Sequence, residues 1–276
     1  MQMPVTIAQL LNDAKYHVSD VDARLLLQHA LQVSPVFLAA YSDEFVNAEK
    51  MMCFYSLLQR RINGEPIAYI IGQREFYDLT FHVTPAVLIP RPETETLVEL
   101  ALASIPMDRS YTVLDLGTGS GAIALTLAKH RPLAQVMAID LSAEALEVAQ
   151  MNATLLEVDN VHFTLGDWFQ GIVGQYDLIV SNPPYVAIGD PHLDQGDLRF
   201  EPQIALSAPE DGIACIRTII AQAPQFLCAG GQLLLEHGYN QAAQCRQLLA
   251  QEASFINIFS YPDLAGILRI TGGQRI

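Results

Sequence analysis

An apolar run, Val113-Leu114-Asp115-Leu116, leads directly into Gly117-Thr118-Gly119-Ser120-Gly121 and then into Ala122-Ile123. A glycine-rich turn between a strand and a helix confines the chain to an α/β arrangement, with the turn at the edge of a sheet. Glycines there let the backbone turn sharply and leave room for a ligand. Asp140 ends the next apolar run, 25 residues after Asp115, where a carboxylate can accept both ribose hydroxyls of a nucleoside. The spacing is Gly-x-Gly-x-Gly, with Ala122 next. That weakens a pyrophosphate-binding reading without ending it, so a dinucleotide and S-adenosylmethionine both stay open at this point.

Short apolar runs and helical patterns alternate from Tyr111 onward. Strands are expected at Thr112–Asp115, Gln135–Ile139, His162–Leu165, Asp177–Val180, Gln232–Glu236, Phe255–Ser260 and Gly266–Thr271. Helices fit between them, notably Gly121–His130, Ala143–Thr154 and Gly212–Cys228. The fold class is therefore α/β, a doubly wound, mostly parallel seven-stranded sheet. Its last two strands follow one another without a helix and are expected to form an antiparallel hairpin at the sheet edge.

The first part of the chain has a different texture. Thr6 caps a predicted helix to Lys15, Ser19 or Asp20 one to Gln32, and a third runs from Asn47 to Ile62 before Asn63-Gly64 and Pro66 stop it. This gives a small N-terminal helical domain over 1–72 without a catalytic motif. Residues 73–91 form a connector, with a β-hairpin turning at Tyr77-Asp78. Residues 92–276 are the catalytic domain, opening with a helix that starts at Pro92 and reaches about Ser104.

Composition narrows the function. The formal charge is −15, from 15 Lys+Arg against 30 Asp+Glu, whereas gripping nucleic acid through phosphates calls for a basic face. No nucleic-acid partner is expected. Cys53, Cys215, Cys228 and Cys245 form no metal-binding spacing and read as reduced thiols of a cytoplasmic protein. The first residues show no leader pattern, and no apolar stretch is long enough for a membrane span, so no membrane partner is expected.

The fourth strand runs into Asn182-Pro183-Pro184-Tyr185. Ligands of an open α/β sheet sit at the carboxyl ends of the strands, so this turn faces the same crevice as the glycine loop. An amide or exocyclic amine nitrogen is a poor nucleophile because its lone pair is delocalised. Two fixed acceptors, the Asn182 side-chain oxygen and the Pro183 carbonyl, would hold both N–H bonds and keep the nitrogen in line with a sulfonium methyl. The prolines lock φ, and Tyr185 suits stacking on a flat group. No strong general base is required, since the proton becomes acidic once the nitrogen is alkylated.

These motifs together resemble the release-factor glutamine methyltransferases, the PrmC/HemK family. The resemblance is carried by Gly117–Gly121, Asp140, Asn182–Tyr185, the connector Ile89-Pro90-Arg91-Pro92-Glu93-Thr94-Glu95, Gly166-Asp167-Trp168-Phe169, Arg199-Phe200-Glu201-Pro202, Leu235-Glu236-His237-Gly238 and Asp263-Leu264-Ala265-Gly266. It covers nearly the whole chain and implies a class I, Rossmann-like methyltransferase fold with S-adenosylmethionine as cofactor and S-adenosylhomocysteine as product. The implied reaction is methyl transfer to the side-chain N5 of the glutamine in the Gly-Gly-Gln loop of class-1 peptide release factors, modulating translation termination. The resemblance also implies that Gly117, Thr118, Gly119, Ser120, Gly121 and Asp140 hold the methionine and ribose ends of the cofactor. Asp167 and Trp168 then lie at the adenine, with Asn182 beside the cofactor as well. Asn182, Pro183, Pro184 and Tyr185 hold the glutamine amide, and the helical domain helps to clasp the release factor. A monomer without a metal is expected.

The alternative enzyme is a DNA adenine-N6 or cytosine-N4 methyltransferase, which shares Asn-Pro-Pro-Tyr but needs basic residues and a target-reading domain. A methyltransferase of another protein or a small amide, a nucleoside-binding scaffold and a nicotinamide dehydrogenase are further rivals. The last two leave Asn-Pro-Pro-Tyr unexplained. Arg91, Glu93, Arg199 and Glu201 read either as solvated loop residues or as a pin between connector and catalytic domain, and His237 reads as satisfying local backbone. The tail contains Gly272-Gly273-Gln274, the tripeptide of the implied substrate, which short glycine-rich composition explains by coincidence. Self-methylation or occupancy of the site by this tail is the competing idea.

Overall fold

The computed structural model describes residues 4–209 and 211–276; Met1 to Met3, at the start of the expected helical domain, lie outside them. The chain forms two compact units. Among the described residues, the first takes 4–73 together with 195–200, and the second takes 74–194, 201–209 and 211–276.

In the first unit, β1 (Val5–Thr6) pairs with β2 (Phe45–Val46) beside α1 (Ile7–Ala14), α2 (Asp20–Leu31), α3 (Pro35–Ala40), α4 (Ala48–Ile62) and α5 (Ile67–Ile71). Thr6, Ser19, Ser34 and Asn47 each accept a backbone N–H in the first turn of the helix that follows, which fixes four helix starts. Ile7, Leu10, Leu26, Leu27, Phe54 and Leu58 close one apolar core. The short helices α3 and α5 carry no full amphipathic period and are absent from the sequence reading. The segment 195–200 is held here by Arg61, which pairs with both Asp22 (2.8 Å) and Asp197 (3.0 Å), and by Arg199, which donates to the Asn63 carbonyl.

The second unit opens with the hairpin β3 (Gln73–Phe76) and β4 (Leu79–His82), turning at Tyr77, whose φ is 59°. Then follow α6 (Thr94–Ser104), β5 (Tyr111–Leu116), α7 (Ala122–His130), β6 (Ala134–Asp140), α8 (Ala143–Leu155), β7 (Val161–Leu165) and β8 (Tyr176–Ser181). A two-residue strand, β9 (Val186–Ala187), precedes α9 (Gln203–Leu206) and its partner β10 (Ser207–Ala208); α10 (Ala214–Phe226), β11 (Leu227–Glu236), α11 (Ala242–Gln251), β12 (Phe255–Pro262) and β13 (Leu268–Arg275) complete the chain. Seven strands form one sheet in the order β12-β13-β11-β8-β5-β6-β7. The pairs from β11 to β7 are parallel, and β13 is antiparallel to both β11 and β12.

Alternate residues of the central strands feed opposite layers, as a period of two requires. Val113, Leu178, Val180 and Leu234 join the apolar layer with Leu97 of α6 and Ile123 of α7. Leu114, Ile179, Leu233 and Leu235 join the other layer, with Ile216 and Ile220 of α10 and Leu249 of α11. The sequence reading names no helix between β11 and β12, and α11 fills that place. The last strand starts two residues later than expected, because Asp263 accepts from the backbone N–H groups of Ala265 and Ile267 and holds Gly266 (φ 81°) in a turn.

The Gly-Gly-Gln tail lies inside β13. Gly272 faces Leu234 across the ladder, a Cβ on it would meet the ring of Phe259 at 2.9 Å, and the Gln274 amide donates to the Gly230 carbonyl. These glycines are there for close packing in the sheet, and the tail does not occupy the candidate site.

One buried side chain ties three segments of this unit together. Asn152 of α8 accepts from His82 N (2.7 Å) and donates to His82 O (3.0 Å) and Ser120 O (2.9 Å). Replacing Asn152 with Ala leaves buried backbone groups unpaired and is expected to cost about 3 kcal/mol, or about 6–12 °C in Tm. Thermal denaturation followed by circular dichroism checks this, and a shift under about 2 °C would contradict it.

Candidate active site

The chain builds β5, β6 and β7 to one side, then crosses back to place β8 on the other flank of β5. A crevice opens at such a reversal, at the carboxyl ends of the strands. Asp115 pairs with Val180 and Leu116 with Ser181, so the glycine loop and Asn182-Pro183-Pro184-Tyr185 leave the sheet side by side. The Ser181 hydroxyl donates to the Leu116 carbonyl at 2.7 Å and fastens the two exits together.

Gly117, Gly119 and Gly121 all have positive φ (73°, 57° and 81°), a conformation in which a side chain strains the backbone. Their surroundings differ. A Cβ on Gly119 would meet nothing within 4 Å, whereas one on Gly121 would reach Leu125 at 2.8 Å and Ala149 at 3.3 Å. Gly119 thus keeps an open face, and Gly121 is small so that the loop can pack on its own helix and on α8.

Two recesses meet here. The larger, about 240 Å³, is walled by Gly117, Gly119, Asp140, Asp167, Trp168 and Asn182, with Pro184 also on its rim. The smaller, about 50 Å³, shares Gly117, Gly119 and Asn182 and adds Thr118, Ser120, Arg91 and Thr94. Asp140 accepts from Gly119 N at 2.7 Å and from Ser142 N at 2.9 Å, so its carboxylate also shapes the glycine loop. Burial raises its pKa, and the backbone donors at Ser142 and Gly119 oppose that rise.

The turn after β8 places its residues unequally. Asn182 and Pro184 face the larger recess, and Pro183 and Tyr185 are absent from its walls. The Tyr185 ring packs against the apolar layer on the α10 side, and its hydroxyl lies 3.5 Å from a Glu236 oxygen. Burial first, then the Glu236 charge, drives its pKa upward. The ring is half-buried and lines neither recess, with its hydroxyl directed at Glu236. Gln241 donates to the Tyr185 carbonyl at 3.0 Å, and a Cβ on Gly212 would collide with that same carbonyl.

Among the uncertain charged residues, Glu201 is buried and accepts from both Arg91 (2.5 Å) and Ile89 N (3.0 Å). This is the pin. Arg199 instead packs over Phe200, its guanidinium carbon 4.9 Å from the ring centre. His237 is buried, with its two ring nitrogens against the Gly238 carbonyl (2.9 Å) and the Thr271 hydroxyl (2.8 Å), the local structural role expected. Two groups escaped the sequence reading. Thr94 takes a hydrogen bond from the Asn182 amide at 3.1 Å, and Glu236 is buried with one oxygen 3.5 Å from the Tyr185 hydroxyl and the other without a partner. Both sit in motifs that carried the resemblance, but no spacing rule links residues 94, 182 and 236.

The recesses suit a nucleoside sulfonium. They join an open glycine face, a carboxylate beside it, an indole wall and a second pocket continuous with the first at Asn182. Fold and site together define a class I S-adenosylmethionine-dependent methyltransferase. Comparison with known proteins agrees: residues 92–195 match the methyltransferase small domain and residues 5–72 match the PrmC N-terminal domain. A release factor glutamine methyltransferase of Neisseria gonorrhoeae is 51% identical over 257 residues, covering 92% of this chain and 93% of its own. Those of Burkholderia pseudomallei and Escherichia coli are each 48% identical, covering 98% and 92% of this chain and 96% and 91% of their own. The chain belongs to the release factor glutamine methyltransferases. In fold it is similar to a methyltransferase from Pyrococcus furiosus (TM-score 0.55, 17% identity, 79% of this chain and 96% of that one). Among the described residues there is no cluster of metal-binding side chains and no helix long and apolar enough to cross a membrane.

Asp115, at the end of β5, is fully buried. One oxygen accepts from Thr118 at 2.7 Å and the other has no protein partner, and burial pushes its pKa up to about 7. The unfolded carboxyl titrates at about 4, so between roughly pH 4 and 7 the native state holds the extra proton and stability falls as pH rises. The variant Asp115→Asn should match wild type near pH 4 and gain in relative Tm toward pH 7. Parallel Tm–pH curves for the two proteins would contradict this.

Proposed function

We propose that this protein transfers the methyl group of S-adenosylmethionine to the side-chain amide nitrogen of the Gly-Gly-Gln glutamine in class-1 peptide release factors, and so modulates translation termination. The observation that carries the reading is the position of Asn182, at the junction of the two recesses and fixed by a hydrogen bond on its nitrogen side. S-adenosylmethionine supplies an electrophilic methyl carried on a sulfonium.

The protein's own residues do the rest. Asp140, Asp167 and Trp168 would hold the ribose and adenine in the larger recess, while Gly117, Thr118, Gly119 and Ser120 would hold the methionine end in the smaller one. Gly121 supports that loop by packing. Asn182 Oδ1 and the Pro183 carbonyl accept the two N–H bonds of the glutamine amide. Pro184 closes the rim, and Tyr185, anchored at Glu236, keeps the turn in shape. Acceptors fixed in advance cost no reorganisation as charge builds on the nitrogen, and the extra proton leaves to solvent after alkylation. The helical unit carries none of them and is assigned to gripping the release factor. The charge of −15 and the absence of a basic cluster favour a protein substrate over DNA.

Steady-state methylation of a class-1 release factor tests the roles. Asn182→Ala should lower kcat by about 10²–10³-fold, the cost of one preorganised polar group, with the Kd for S-adenosylmethionine nearly unchanged. Asp140→Ala should do the reverse, weakening cofactor binding by at least about tenfold in calorimetry. Equal loss of cofactor binding in both variants, or full kcat in Asn182→Ala, would overturn the assignment.

A further inference from the structure

We propose that Gln241 is a positioning residue for methyl transfer: its side-chain amide grips the Tyr185 carbonyl and so sets where the Asn182–Tyr185 turn presents its two acceptors. The inference deepens the reading above and rests on it. Gln241 is buried, 6% exposed, and its amide is bonded on both sides. The oxygen accepts from Gly238 N at 2.8 Å, and the nitrogen donates to the Tyr185 carbonyl at 3.0 Å and the Asp211 carbonyl at 3.2 Å. All three partners are backbone groups. An N–H can only donate and a carbonyl can only accept, so the amide fits this place in one orientation, with both of its hydrogens used. Gln241 also stands at the position before α11 where a side chain commonly caps the helix, and it gives α11 no such bond. Its amide serves the neighbouring loops instead of its own helix. Gln241 lines neither recess, so it acts through the turn and not on the cofactor or the substrate.

The turn needs an outside grip of this kind. Pro183 and Pro184 have fixed φ and no N–H, so the middle of the turn has no backbone donor with which to hold itself. Its start is fastened by the Ser181 hydroxyl, which donates to the Leu116 carbonyl at 2.7 Å, and by Asn182 Nδ2, which donates to Thr94 at 3.1 Å. Gln241 fastens its end. With φ locked at both prolines, the direction of the Pro183 carbonyl follows from where those two ends are held. Gly212 bears on the same Tyr185 carbonyl. Its φ is 80°, and a Cβ there would lie 2.1 Å from the Tyr185 oxygen, so only a glycine lets the chain pass so close. Gly212 N in turn donates to the Pro209 carbonyl at 3.2 Å, just after β10, whose Ser207 pairs with Val186 next to Tyr185. The Tyr185 oxygen thus has a donor that holds it and a close backbone that limits its travel.

Two readouts on the full-length protein test this, with Gln241→Met, Gln241→Glu and Gly212→Ala beside wild type. Met keeps the volume and removes the hydrogen bonds, Glu keeps the shape and sets an oxygen against two carbonyls, and Ala at 212 pushes the Tyr185 carbonyl directly. The first readout needs no substrate. Tyr185-Val186 is the only Tyr-Val pair in the sequence, so tyrosine labelled with 13C at the carbonyl and valine labelled with 15N give one NMR cross-peak, from the peptide group that Gln241 holds. That peak should move in all three variants. The second readout is methylation of the release factor, where kcat should fall by about 10–100-fold, the scale of a misplacement of up to about 1 Å, with the Kd for S-adenosylmethionine within about twofold of wild type. A peak unmoved in Gln241→Met, or a moved peak with kcat within about twofold of wild type, would overturn the proposal and leave the proposed function standing. Cofactor binding lost in step with kcat would also overturn it, by reducing Gln241 to a folding role. Should Gln241→Met not fold, Gln241→Glu and Gly212→Ala are read by the same criteria. The expected movement of the peak, beside a wild type that leaves the release factor unmethylated, would uphold the grip on the turn and sink the substrate assignment.

Discussion

The parallel pairing of β5 with β8 is the constraint on which the rest of this molecule depends. It sets Asp115 against Val180 and Leu116 against Ser181, and so brings a glycine loop and an Asn-Pro-Pro-Tyr turn, 65 residues apart by the Leu116–Ser181 pair, out of the sheet as neighbours. A one-residue slip would send Val180 and Leu178 to the wrong apolar layer, so the hydrophobic pattern that builds the core also sets the register of the site. The β6 partner on the other flank delivers Asp140 at the same edge, where it binds Gly119 N.

Around that edge the protein keeps three carboxylates out of water and a fourth half-buried, and treats each differently. Glu201 has a cation and a backbone donor, and the pair holds the Pro90-Arg91-Pro92 segment in place. Asp140 leans on two backbone N–H groups and still lines the cleft. Asp115 and Glu236 have weaker support, each with an unpartnered oxygen and a pKa raised to about 7. A buried carboxyl held this loosely destabilises the fold. Asp115 takes a side-chain donor from Thr118 of the glycine loop, and Glu236 one from Tyr185 of the turn after β8.

Much of this was legible in the sequence, for identifiable reasons. Central strands buried on both faces read as apolar runs, and Gly117–Gly121 followed by Asp140 marks the ligand edge by turn chemistry alone. Side-chain caps at Thr6, Ser19 and Asn47 announce helix starts in the first unit. Legibility ended where structure depends on contacts distant in sequence. Helix α11 has a short, broken apolar face, β13 runs through two glycines, and α3 spans six residues. The inward turn of Tyr185 depends on Glu236, and the fixing of Asn182 depends on Thr94, partners 51 and 88 residues away. The distinction between Gly119, which keeps an open face, and Gly121, which yields to Leu125, needs coordinates.

The chemistry follows from holding one nitrogen still. An amide lone pair is weakly nucleophilic, and in the function proposed above the Asn182–Tyr185 turn answers that difficulty by orientation. The same turn occurs in enzymes that methylate DNA bases, so the flat amide-like group is common to both readings and the macromolecule that carries it distinguishes them. The most direct measurement offers wild-type protein a class-1 release factor and a DNA duplex together with S-adenosylmethionine, and maps the methyl by mass spectrometry of peptides and nucleosides. A single added methyl on the Gly-Gly-Gln glutamine, with the DNA unchanged, is the expected result. Methylated adenine or cytosine with an unmodified release factor would contradict the assignment and leave only the fold and the cofactor.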